Sequence, residues 1–150
     1  MKNFASIVVL AFAFAPAFVH AADPAAAPAP VIKSAGDIDY HASGSLPPGA
    51  EYHLIYEEPK THAVQTLVRM PRGYVLPPHR HSFDETIVVL KGKVVLGFGD
   101  KTETVSAGGY AVVPAETVFS MKIEGFGGAQ FIAAFNGPFD AKPAVPAAKP

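Results

Sequence analysis

The sequence predicts an all-β domain, a small sandwich or jelly-roll barrel of antiparallel strands. Seven short runs rich in β-branched and aromatic residues, YHLIY, AVQTLVRM, TIVVL, KVVLGF, YAVVP, TVFSMKI and AQFIAAF, succeed one another between Gly, Pro and Asp. No stretch holds the apolar period of a long helix. Strands with no helices to cover them must bury their apolar faces on a second sheet or close into a barrel.

The two ends frame this domain. MKNFASIVVLAFAFAPAFVHA carries Lys2, an apolar run from Phe4 to Val19 and a small-residue site at Val19-His20-Ala21, the pattern of a secretory signal peptide over residues 1–21, cut between Ala21 and Ala22. The run contains Pro16 and is shorter than the roughly 20 apolar residues that a bilayer span needs. The expectation is a periplasmic or secreted protein with no membrane span after cleavage. ADPAAAPAP and AKPAVPAAKP alternate Ala with Pro, which reads as a linker over 22–35 and a tail over 141–150, leaving the barrel domain at 36–140.

Composition narrows the chemistry. At 150 residues with 49% apolar content, the chain can bury one real core. Twelve basic against 13 acidic residues, with no basic block, argue against nucleic acid as a partner. There is no cysteine, so any site rests on His, carboxylates or hydroxyls rather than thiolates, and no disulfide staples the fold.

Taken in order, AVQTLVRM places Val64, Thr66, Val68 and Met70 on one face and Gln65, Leu67 and Arg69 on the other. Alternation alone does not say which face turns inward. PPHRHSFDE follows, where Pro77 and Pro78 hold the backbone extended before His79 and His81. If that strand runs on, residues 79, 81 and 85 point one way and Asp84 the other, as a solvated turn residue. Same-face side chains about 6.6 Å apart can lean onto one ion, so this is a possible metal site. Lys91-Gly92-Lys93 and the GFGDKT turn are short enough to join neighbouring antiparallel strands. The later runs pair at longer range.

The order Gly73, five residues, His79-Arg80-His81, three residues, Glu85, six residues, Gly92 resembles the first motif of the cupin superfamily, with every marked position filled. The second cupin motif is matched in part. Gly108 and Pro114 align, while Glu116 stands for the second glycine, Phe119 for the histidine that is usually the fourth metal ligand, and Ile123 for the asparagine. The resemblance covers roughly residues 46 to 140, including Gly137-Pro138-Phe139, and is closest to small bacterial cupins of one domain.

That resemblance implies a β-barrel with its site inside. It implies a divalent metal, with Fe, Mn, Zn, Ni and Cu not distinguished, held by His79, His81 and Glu85. Two histidines and a carboxylate suffice for non-haem iron and leave coordination positions open. Phe119 is then either an apolar wall of a substrate pocket or ordinary core. Gln65 could reach inward as a ligand or substrate contact, and His62, Gln65 and Glu116 are the available acid/base candidates. His41 and His53 read as surface or hydrogen-bonded residues, and Tyr52, Tyr56 and Tyr110 as packing residues with a wet hydroxyl. Small cupins commonly pair, so a homodimer is expected. The functional expectation is an exported metal-binding cupin acting on a small-molecule ligand as an oxygenase, isomerase or lyase. The alternatives are a non-catalytic cupin that binds a small molecule or metal, and a degenerate barrel without metal.

Overall fold

The computed structural model describes residues 29–144. The expected signal peptide at 1–21, its cleavage site, and most of the Ala/Pro-rich ends lie outside the described residues. Within them, strands run as β1 His41–Ala42, β2 Glu51–Glu57, β3 Val64–Met70, β4 Val75–Arg80, β5 Glu85–Lys91 and β6 Lys93–Phe98. They continue as β7 Lys101–Ser106, β8 Tyr110–Val113, β9 Phe119–Glu124, β10 Ala129–Phe135 and β11 Lys142–Pro143. They form a six-stranded sheet, β1-β2-β3-β10-β5-β8, and a five-stranded sheet, β11-β4-β9-β6-β7. Every ladder is antiparallel. This is the jelly-roll barrel that the strand pattern and the motif predicted.

Period-2 alternation builds the core. Val64, Val68 and Met70 of β3 are buried, as are Ile87 and Val89 of β5 and Phe131, Ala133 and Phe135 of β10. Leu76, Val94, Leu96, Met121 and Ile123 are buried from the other sheet. Each large aliphatic or aromatic side chain removed from water contributes on the order of 1.5–3 kcal/mol, so these inward rows hold the sheets face to face. The inward face of β3 is therefore the 64–66–68–70 row.

Three expectations change. The Lys91-Gly92-Lys93 link does not close a hairpin, because β5 pairs with β10 and β8 while β6 pairs with β7 and β9. The link turns a corner from one sheet to the other. Gly92 makes the corner possible: its φ is +79°, and a Cβ there would lie 2.2 Å from the Gly128 carbonyl oxygen. Second, β7 forms where the sequence shows no apolar run, since KTETVS is polar and its side chains are almost all exposed. It is an edge strand that pairs with β6 alone, and polar edges discourage further pairing. Third, the fold continues past 140, since Lys142 and Pro143, assigned to the tail by composition, pair with Arg80 and His79 of β4.

Candidate functional site

The site begins where β4 ends. The strand stops at Arg80, residues 81–84 bend, and β5 starts at Glu85. The single continuous strand assumed from the spacing is thus replaced by a corner. His79 comes from the five-stranded sheet and Glu85 from the six-stranded one. The convergence of 79, 81 and 85 is a product of sheet-to-sheet crossing, not of strand parity. All three side chains are nearly inaccessible, at 4%, 5% and 4% exposure.

Backbone carbonyls fix how the imidazoles can act. His79 Nδ1 donates to Pro77 O at 2.9 Å, and His81 Nδ1 donates to the Asp140 carbonyl. A carbonyl oxygen can only accept, so each proton resides on Nδ1 and each Nε2 keeps a free lone pair. Burial lowers the pKa of both rings, which favours this neutral form. Glu85 is the converse case. Burial pushes its carboxyl up to about 8, its Oε2 has no hydrogen-bond partner, and that oxygen lies 3.4 Å from His81 Nε2.

This donor set fits a divalent cation in kind: two neutral nitrogen donors beside an orphaned carboxyl oxygen, all three side chains buried. It does not form a finished cage. Among the described residues no three His, Cys, Asp or Glu side chains are gathered into a group that could hold a metal ion as they stand.

Phe119 sits opposite His79 in the β4–β9 ladder. It is 1% exposed, with its ring centroid 4.3 Å from His79, 5.8 Å from His81 and 6.2 Å from Phe98. It therefore packs as core directly against both imidazoles, and its ring has nothing to donate to an ion. Gln65 is corrected. It lies on the outer, exposed face of β3, between the inward Val64 and Thr66, so it contacts no pocket. Nor do the other acid/base candidates face inward: His62 is exposed and pairs with Glu57 at 2.6 Å, and Glu116 is exposed and pairs with Arg80 at 2.9 Å. His41 is exposed on β1, and His53 donates from Nδ1 to Asp39 O at 2.9 Å. Tyr110 is 71% exposed rather than packed.

The sequence reading missed a strap. After β10 the chain crosses to β11 and lays Phe139 and Asp140 over His81. The Phe139 ring lies 5.7 Å from His81 and 5.3 Å from Phe135. Asp140, besides its carbonyl, accepts from Ser82 N at 2.9 Å and Ser82 Oγ at 2.6 Å, and Lys142 Nζ stands 3.5 Å from its carboxylate. Asp84 is likewise more than a solvated turn residue, since it accepts from Ala115 N at 2.8 Å and from Asn136 Nδ2 at 3.3 Å. These partners lie about 30 to 60 residues apart in sequence, so only Gly137-Pro138-Phe139 could have hinted at the strap.

Between the sheets is a cavity of about 260 Å³. His79, His81 and Glu85 line it together with aliphatic and aromatic side chains such as Leu54, Val68, Met70, Ala133 and Phe139.

The cupin domain family matches residues 66–135. No curated protein matches the chain. Among solved structures it is similar to a candidate acetylacetone dioxygenase from Methylibium petroleiphilum, at 18% identity over 83% of this chain and 88% of that one, with a TM-score of 0.64. It is similar to the polyketide cyclase RemF from Streptomyces resistomycificus, at 18% identity over 75% and 84%, TM-score 0.60. It is also similar to KdgF from a Halomonas species, at 20% identity over 68% and 90%, TM-score 0.58. Likeness at these identities carries the fold and no activity. The two-sheet barrel, the complete first motif at the sheet-to-sheet corner and the family match lead to one placement: residues 66–135 match the cupin domain family and lie within a jelly-roll barrel.

Proposed function

We propose that the chain is an exported metal-binding cupin that acts on a small molecule at a mononuclear centre formed by His79, His81 and Glu85. One observation carries this reading: the buried Glu85 Oε2 is unpartnered, 3.4 Å from an imidazole nitrogen whose lone pair is free. A buried acceptor without a donor is costly, and a cation is the partner that an oxygen and two Nε2 lone pairs share. A bound divalent ion would supply Lewis-acid or redox chemistry, of oxygenase, isomerase or lyase type. The chain's own groups prepare for it. Pro77 O and Asp140 O orient the rings, Phe119 and Phe135 exclude water from them, and Glu85 gives up the proton it holds when empty of a cation.

The experiment is metal analysis of protein purified from its own cells, wild type against His81→Ala. At least a tenfold loss of bound metal is expected, because two protein donors remain. Equal metal in both removes the assignment.

A non-catalytic binding cupin is the second reading. It is favoured by the outward placement of His62, Gln65 and Glu116, which leaves only Glu51 and Tyr52, on a partly exposed segment, as further titratable residues among the described lining of the cavity. Export and self-association complete the proposal. Intact mass starting at Ala22 tests the first. For the second, exposed Leu90, Tyr110 and Val112 give β5 and the edge strand β8 an apolar outer face, and a monomer mass by light scattering at micromolar concentration would end it.

A further inference from the structure

The cavity is selective by what it lacks. No Lys, Arg, Asn or Gln is among the described residues that line it. Thr66, on its β3 wall, already spends its hydroxyl on Ala133 O at 3.1 Å. The remaining polar groups fall in two sets. Ser43, Ser45, Glu51 and Tyr52 come from one partly exposed segment, and His79, His81 and Glu85 form the buried cluster. Everything else in contact with the space is backbone, aliphatic or aromatic, from Val64 and Val68 across to Phe131 and Phe135.

A phosphate entering it would meet no cationic side chain. A sugar would bury several hydroxyls against carbon, each stripped of water without a new partner. An apolar body gains from the same walls. We propose that this cavity takes a small molecule with an uncharged aliphatic or aromatic body and a single polar end, that end directed at His79, His81 and Glu85. The inference names the ligand class of the site proposed above, and rests on that reading only for the polar end.

The test is calorimetric titration of the full chain with the homologous ketones 2-butanone to 2-nonanone, before and after chelation and reloading with divalent metal. Affinity is expected to rise about threefold to fourfold per methylene and then level off once the cavity is full. Fructose, a polyhydroxylated counterpart of 2-hexanone, is expected to bind at least a hundredfold more weakly than 2-hexanone. Ala133→Leu should move the plateau to a shorter ketone and Val68→Ala to a longer one. Should Ala133→Leu fail to fold, Val68→Ala carries the assignment alone. Affinity independent of chain length, fructose binding as well as 2-hexanone, or a plateau unmoved in the folded variants overturns the proposal. The two readings fail separately. A methylene series that persists in a protein unable to take up metal removes the metal centre and keeps the ligand class. Metal uptake with no methylene dependence does the reverse.

Discussion

The two motif regions, residues 73–92 and 108–123, are built alike and equipped differently. Each runs strand, corner, strand between the sheets: β4 to β5 through 81–84, and β8 to β9 through 114–118. The corners touch, with Glu116 N donating to His81 O at 2.8 Å and Ala115 N to Asp84 at 2.8 Å. The first corner carries donors, His79, His81 and Glu85. The second carries Phe119 where the motif's ligand would stand, yet its backbone still crosses from one sheet to the other. Glu116, in the place of a glycine, has φ +61°, the left-handed region that side chains ordinarily avoid. The difference teaches that the fold enforces a corner's backbone through its neighbours' hydrogen bonds and ion pairs, whereas nothing in the packing enforces donor chemistry.

The largest expected effect breaks the β5–β6 link that closes the first motif region. Gly92→Ala combines a positive φ with a Cβ driven onto a carbonyl oxygen, and thermal denaturation should register a loss of about 3 kcal/mol or more. The second region offers the contrast. Gly108 has φ +87° but open space where a Cβ would go, so Gly108→Ala should lose only about 1 kcal/mol. Equal losses would show that close approach is not what Gly92 serves.

Next comes pH. In metal-free protein, Glu85 is protonated when folded up to about 8 and ionised when unfolded above its ordinary 4.5. Its contribution is therefore present below the unfolded value and lost as pH rises through the folded one, a loss of about 5 kcal/mol at full extent. His79 and His81, lowered by burial, act oppositely and lose stability as pH falls below their ordinary 6.5. Comparing melting temperatures of wild type and Glu85→Gln isolates the carboxyl: wild type should fall progressively behind between roughly pH 5 and 8. A constant gap would mean that Glu85 does not hold its proton.

Phe119→His would equip the second region like the first. Its ring already contacts both imidazoles, so an added donor should slow metal loss to a chelator by about tenfold, at a cost in stability from the lost apolar burial. Unchanged retention, with His81→Ala still metal-poor, would leave the three ligands and remove residue 119 as the fourth corner. The smallest effect is expected from Glu116→Gly. Relief of the left-handed strain, about 1 kcal/mol, is offset in part by loss of the exposed Arg80 pair, so the variant should be equal to or slightly more stable than wild type. Marked destabilisation would assign the ion pair a larger role than its exposure allows.

Seven apolar strands, the two prolines before His79, the glycine-bounded motif and the identities of the three central residues were legible in the sequence, because each rests on local chemistry: period-2 alternation, a fixed φ and a fixed residue spacing. β7 was not, since a polar edge strand carries no apolar signal. Gln65 was misplaced because alternation defines two faces without saying which one meets another sheet. Only the tertiary structure decided that His79 and Glu85 reach one space from opposite sheets, that Asp140 crosses back to hold His81, and that no Lys or Arg among the described residues lines the cavity beside them. The physical reason is range. Local sequence sets what a segment can form, but partners such as Ser82 and Asp140, 58 residues apart, meet only because two sheets must bury their apolar faces against each other.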